Sequence, residues 1–288
     1  MALTDGDFAS VFFLTTVILF NVRRHICSPK ASFISVWGLR ISCALLFSFF
    51  VNAISHSRKP MLLLATTAIL AIFLLESIRL WNLTNIFTKI DIPVFPRFKQ
   101  CMENFIWPIG KFFDSTRQLI LSHGFTEKAL LKIGDGETFV MYSPVFYSRD
   151  RRSRLQIIFD MLRGGCPLLN CMLTSFTEDG KTIVTNNLQT IFASFYPELW
   201  DVRRCPMASL DDLLRIHAHR IEGKAMVKID DSNSWEAINN EQHQIELANC
   251  ESGLCEKLED HNYITLTFSG RYRLWCDMLH YSYFGRPL

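Results

Sequence analysis

His217 and His219, with Arg220 directly after them, are the first residues in this chain whose types and spacing could do chemistry. A His-x-His pair on a strand turns both imidazoles to one face and can hold a metal. On a helix, positions two apart face different ways, while positions three apart are neighbours. The surrounding run LLRIHAHRIEG reads as a helix. No metal site is therefore expected, and His217 with Arg220 is the better pair for a polar cluster. Asn186 and Asn187 close the arm of a hairpin. There an Asn either bonds nearby backbone or meets a ligand. Asn186, His217 and Arg220 are thus the candidate ligand-binding residues, and no residue can be assigned a catalytic role. If one pocket collected all three with a perturbed pKa, an enzyme would be indicated. Asp179, beside Gly180, reads as a turn residue.

The known local signatures are absent. The chain has no Walker-type loop, GxGxxG, HExxH or GxSxG. That lowers the nucleotide-binding, zincin and hydrolase readings. The 9 cysteines are odd in number and irregularly spaced, with no CxxC. They read as reduced thiols, many of them buried, in a reducing compartment, and form neither a disulfide framework nor a metal site. No cofactor is expected.

The elements that must position these residues lie in the last two thirds of the chain, which has ordinary soluble composition. DSTRQLILSHG reads as a helix with Asp114 or Ser115 near its cap and Gly124 just past its end. Two apolar runs flank Gly134-Asp135-Gly136, a hairpin signal. RDRRSR, 149–154, reads as a basic loop that is either a solvated turn or a contact for anionic lipid. RLQIIFDML is ambiguous between strand and helix. LLNCMLTSFTEDGKTIVTNN carries strand formers in both arms around Glu178-Asp179-Gly180. Pro197 and Pro206 bound an irregular crossing segment. Ser209 and Asp212 are spaced as a capping box for a helix whose stripe is Leu210, Leu213, Leu214, His217, Ala218 and Ile221, with Gly223 at its end. A polar surface helix capped by Ser234 follows and is interrupted near Gly253. YITLTFSG reads as a strand and RYRLWCDMLHYSYF as an aromatic helix.

The runs TSFTEDGKTIVTNN, LLRIHAHRIEGKA and ITLTFSGRYRLWCDML together resemble a group of bacterial membrane-anchored proteins. That group shares an acidic–Asp–Gly hairpin ending in Thr-x-Asn, a helix with a His-x-x-Arg step, and a C-terminal strand with an aromatic helix. The resemblance spans roughly residues 115–284. It implies an architecture and no activity.

Residues 1–94 carry 8 Lys and Arg against 4 Asp and Glu, whereas 95–288 carry 22 against 24. The net-negative soluble part and the absence of an RNP-like pattern speak against nucleic acid. Within the first third, 33–54 and 61–81 are apolar runs of ~20 residues, enough to cross a ~30 Å hydrocarbon layer. Arg40, Glu76 and Arg79 lie near their ends, where long side chains can snorkel to the headgroups. Residues 8–22 are shorter and could be a third span, an interfacial helix or a re-entrant piece. Between the long runs lie only Arg58 and Lys59. On the other side lie Arg23, Arg24, Lys30, Lys89, Arg97 and Lys99. This asymmetry puts the C-terminal part in the cytoplasm.

The expected organisation is a helical transmembrane region over 1–94, an aromatic and basic joint over 95–109, and an α+β domain with antiparallel hairpins over 110–288. The expected partners are the lipid bilayer and a protein, and the oligomeric state is open. The expected function is that of an integral protein of the inner or cell membrane whose cytoplasmic domain binds a partner or the membrane surface. A membrane-bound enzyme without a local signature is the alternative.

Overall fold

The computed structural model describes residues 5–23, 28–55, 61–87, 97–101, 111–133, 141–160, 168–188, 195–230, 233–257 and 264–286. The chain falls into two compact units, one on residues 1–83 and one on 84–161 and 168–288.

The first unit is helical. It contains α1 (Asp5–Arg23), α2 (Pro29–Ser55) and α3 (Met61–Phe87). Pro29–Ile54 and Leu62–Ile86 are long and apolar enough to cross a membrane. Their large side chains face outward, with Ile54 65% and Leu62 80% exposed. The hydroxyls of Ser48, Thr66 and Thr67 donate to carbonyls four residues back in their own helices, at 2.7–2.8 Å. That is how a helix satisfies a hydroxyl where no water is at hand.

Arg40 and Glu76 do not snorkel apart to the headgroups; they meet each other. Arg40 Nη2 donates to Glu76 Oε2 at 2.6 Å and Nε to Oε1 at 3.3 Å, and Arg40 is 6% exposed. Arg40 lies 15 residues before the end of α2 and Glu76 lies 15 after the start of α3. The two charges therefore sit at one level of an antiparallel pair, ~22 Å from the connection. An ion pair is the form in which charge is tolerated between apolar helices. The segment read as residues 8–22 is the longer helix α1. Phe12 stacks on Phe49 at 5.8 Å, and Leu19 packs over Gly38. Those contacts run α1 antiparallel along α2, from the level of Phe49 to within a turn of Arg40.

The second unit is built on a seven-stranded sheet in sequential order: β1 (Lys99–Gln100), β2 (Phe125–Ile133), β3 (Met141–Ser148), β4 (Arg154–Asp160), β5 (Leu168–Phe176), β6 (Thr182–Asn186) and β7 (Trp200–Arg204). All neighbours are antiparallel except β6 and β7. The arms around Gly134-Asp135-Gly136 pair as β2 and β3, while that turn lies outside the described residues. RLQIIFD resolves as strand β4, so Arg154 leaves the basic loop and is 1% exposed in the sheet. The turn at Glu178-Asp179-Gly180 closes β5 on β6. Gly180 has φ +81°, a conformation that glycine takes without a Cβ penalty. Thr177 donates its hydroxyl to Asp179, and Lys181 Nζ lies 2.9 Å from the same carboxylate. Those two bonds hold the Asp179 carboxyl down at about 2.

Helices α4 (Lys111–Ser122) and α5 (Leu210–Ile221) cover one sheet face, where Ile120, Leu155, Leu173 and Leu213 form the core. α4 starts before Asp114, the expected cap, and Gly124 follows its end with φ +77°. The capping box on α5 is formed as expected, with Ser209 Oγ accepting from the Asp212 N–H. Of its stripe, Leu210, Leu213, Leu214 and His217 are buried, whereas Ala218 is exposed.

Helix α6 (Ser234–Glu251) covers the other face, with Ile238, Tyr147, Val145 and Leu131 in its core. It is more than a surface helix: its polar residues Ser234, Glu246 and Asn249 are buried along with Ile238. Ser234 is its first residue and Asn233 the cap. A short hairpin of β8 (Cys255–Lys257) and β9 (Ile264–Leu266) leads into α7 (Phe268–Phe284). The strand read over YITLTFSG is cut short because the Thr267 hydroxyl accepts from the Gly270 N–H and starts α7 there.

Candidate functional site

Side chains alternate between faces along a strand, and that separates the candidate residues. Thr185 and Asn186 are consecutive in β6 and face opposite ways. His217 approaches from α5 on the Thr185 side, so it shares a face with Arg220 and not with Asn186.

His217 and Arg220 belong to one chain of hydrogen bonds. His217 Nδ1 lies 3.0 Å from Thr185 Oγ1 and Nε2 lies 2.9 Å from Ser175 Oγ, which in turn lies 2.9 Å from Ser153 Oγ. Arg220 Nη1 donates to Thr185 Oγ1 at 2.7 Å and to the Val184 carbonyl at 2.5 Å. Arg220 Nη2 donates to the Asp201 carbonyl at 2.6 Å and pairs with its carboxylate at 2.7 Å. Because a guanidinium only donates, Thr185 accepts from Arg220 and is free to donate to Nδ1. With Thr185 donating to Nδ1, the imidazole proton sits on Nε2 and goes to Ser175, which then donates to Ser153. Every link has a partner. Burial, helped by the Arg220 charge, pushes the His217 pKa down to about 3, so the ring is neutral at physiological pH.

This Ser–His contact resembles part of a hydrolase triad and lacks what a triad needs. Thr185, a neutral hydroxyl, stands where a carboxylate would stabilise the imidazolium. Ser175 is 0% and His217 2% exposed, so no substrate reaches the hydroxyl. The arrangement pins α5 to the centre of the sheet. His219 points away, 85% exposed, beside Glu222. Among the described residues, no three His, Cys, Asp or Glu side chains gather as a metal site. Cys171 and Cys255 are buried, and burial pushes both thiols up to about 12, which makes them poor nucleophiles.

Asn187 is structural. Its carboxamide accepts from the Cys171 N–H at 2.6 Å and donates to the Leu169 carbonyl at 3.0 Å. Asn186 differs. It is 0% exposed, and the polar group facing its carboxamide is the Tyr196 phenol. Burial raises the Tyr196 pKa against the opposing pull of Arg204 and Asn186.

The same face carries an ion pair that the sequence reading missed. Arg154 is bidentate on Glu241 of α6, with Nη1 2.9 Å from Oε1, and the Tyr147 phenol donates to Ser234 Oγ at 2.8 Å. Burial works against the Arg154 charge, but Glu241 more than offsets it and the pKa is raised. Two positions along the sheet, Arg204 of β7 meets Asp277 of α7 at 3.4 Å. The only available signal was alternation: in RLQIIFD, Arg154 and Gln156 share the face opposite Leu155 and Ile157.

No family model matches this chain, and no curated protein or solved structure matches it.

Proposed function

We propose that this chain is an integral protein of the inner or cell membrane, anchored by α2 and α3. Its α+β unit lies in the cytoplasm and works by binding, to the membrane surface or a protein partner, and not by catalysis. The observation that carries the reading is the closed chain through His217. The residues most suggestive of chemistry are spent on holding α5 to the sheet, and Asn186 stands on the other face. The outward-facing apolar side chains of α2 and α3 and the paired charges between them support the anchor. The six-to-two excess of basic residues supports the orientation.

Of the two occupants, the membrane surface has the more specific support. On α7, Phe268 and Tyr272 are one turn apart and 64% and 52% exposed. Trp275 lies against Tyr272, with ring centroids 5.5 Å apart, and the Arg271 guanidinium lies over the Phe268 ring. Aromatic rings with arginines suit the headgroup layer. Hydroxyl-radical footprinting of the full-length protein in nanodiscs tests this. Phe268 and Tyr272 should be oxidised less when phosphatidylglycerol replaces part of the phosphatidylcholine. Equal oxidation in both lipids would shift the reading to a protein partner.

A further inference from the structure

The basic loop read over 149–154 is a tight turn between β3 and β4, and it is held from within. The Ser148 N–H donates to the Ser153 carbonyl at 2.9 Å and the Arg151 N–H to the Ser148 carbonyl at 2.8 Å. Asp150 Oδ1 accepts from the Ser148 hydroxyl at 2.7 Å and from the Arg152 N–H at 3.2 Å. The Arg151 carbonyl accepts from the Ile229 N–H at 2.8 Å, which ties the turn to the segment that follows α5. The turn is therefore ordered before any ligand arrives. Between it, the C-terminal half of α5 and residues 222–226 lies a cavity of about 560 Å³. Sites for small molecules run from ~300 to ~1,000 Å³, so the space suits one.

The ligand's chemistry follows from which charges on the lining are spent. Arg152, Arg215 and Lys224 line the cavity, and all three are exposed to solvent. Arg215 spends only Nη2, on Asp211 at 2.8 Å and on Asp212 at 2.9 Å. Arg152 Nε lies 3.8 Å from Asp150, beyond hydrogen-bond length. The Lys224 ammonium meets no carboxylate among the described residues. Two carboxylates share the lining. Asp150 is taken up by its own turn, and Glu222 faces His219 at 3.3 Å. The end of α5, whose carbonyls would repel an anion, is closed: the Glu222 and Lys224 N–H groups cover the Ala218 and Ile221 carbonyls. What the cavity offers beyond these pairings is positive, the open donors of two guanidiniums and one ammonium. Guanidinium forks match phosphate oxygens, and a phosphomonoester carries close to two charges and three strong acceptors near neutral pH. A carboxylate brings one charge and two oxygens. Ile221 and the buried Met226 give the organic part of the ester an apolar wall.

We infer that this cavity is a binding site for a phosphomonoester, held by Arg152, Arg215 and Lys224. It shares no residue with the aromatic face of α7 and does not rest on the membrane-surface reading. The same phosphate chemistry is offered by the headgroup of phosphatidic acid and by a soluble ester, and the test separates the two. Phenyl phosphate is titrated calorimetrically into the full-length protein in phosphatidylcholine nanodiscs. It should bind, and phenyl sulfate, a single anion of similar shape, should bind more weakly. Lys224→Gln and Arg152→Gln should each weaken phenyl phosphate about tenfold or more, the worth of one charge-assisted hydrogen bond, with an unchanged melting temperature. Arg149→Gln, in the same turn but outside the lining, should leave the affinity near wild type. Discs with phosphatidic acid are then compared with discs holding as much phosphatidylglycerol. Weaker phenyl phosphate binding in the first puts the lipid headgroup in the site, and equal binding assigns the site to soluble esters. Absence of phenyl phosphate binding to the wild-type protein overturns the inference. So does phenyl sulfate binding as tightly, or a loss in Arg149→Gln equal to that in Lys224→Gln, which would make the attraction a diffuse surface charge.

Discussion

The two faces of one sheet treat buried polar groups in opposite ways. Toward α5, Ser153, Ser175, His217, Thr185 and Arg220 form an unbroken chain in which each donor meets an acceptor. Toward α6, Arg154, Gln156 and Thr174 are as deeply buried and each leave one atom without a protein partner, while Asn186 faces Tyr196. A closed buried network adds rigidity and specifies one packing, whereas an open one loses stability unless something fills it. Histidine, the most chemically suggestive side chain here, is on the closed face.

The largest effect expected in testing this contrast is at Arg154. Arg154→Ala strands Glu241, which is 12% exposed, with no counter-charge. The loss should be about 3–5 kcal/mol in denaturant unfolding of the full-length protein, because removing one partner of a buried pair costs far more than removing both. The double change Arg154→Met with Glu241→Leu should recover most of it.

Next is the closed chain. His217→Leu leaves Ser175 and Thr185 without the imidazole, at about 1–3 kcal/mol for each stranded group. Thr185→Val should cost about as much as one of them. Thr174→Val, the same chemical change on the opposite face, should be within about 0.5 kcal/mol of wild type or more stable, since it removes an atom that had no partner. Equal losses at Thr174 and Thr185 would erase the contrast between the faces.

Gly180→Val acts on both faces at once, because the turn sets the register that sends Ser175 and Thr185 one way and Thr174 and Asn186 the other. A β-branched side chain at φ +81° should cost about 1–3 kcal/mol. Asp179→Asn should be near neutral, since Asn serves the same turn. Melting temperatures of the two variants check this. Full stability with lost binding in Asp179→Asn would give Asp179 a functional role.

What could be read from the residues depended on whether local chemistry decided the outcome. The hairpin at Asp179-Gly180, the capping box at Ser209 and Asp212, the core stripe through His217 and the two long apolar helices were legible because propensity, spacing and pattern agree there. Strand β7 was not legible. WDVRR carries charges at alternate positions, and it is a strand because β6 offers it a parallel edge. Ser234 looked like a cap by type, but Tyr147, distant in sequence, engages its hydroxyl inside the helix. Arg40 and Glu76 looked like end charges, and only their meeting across α2 and α3 makes them a pair. His217 with Arg220 was readable as a polar cluster. Its separation from Asn186 needed the face of β6, which no single-residue property reveals.

The closed chain through His217 is tested most directly by the imidazole itself. Burial lowers the folded pKa from 6.5 to about 3, so the unfolded chain binds the extra proton between those values. The stability that His217 contributes is then fully present above pH ~6.5. It falls by up to about 1.4 kcal/mol per pH unit as pH drops toward ~3, a slope His217→Gln should remove. The decisive measurement is 15N NMR of the histidine-labelled full-length protein across pH 7.5 to 4. The account predicts a neutral His217 ring protonated at Nε2, unchanged down to pH 4. A ring that titrates near its ordinary value, or carries its proton at Nδ1, would contradict it and reopen the case for His217 as an acid–base group.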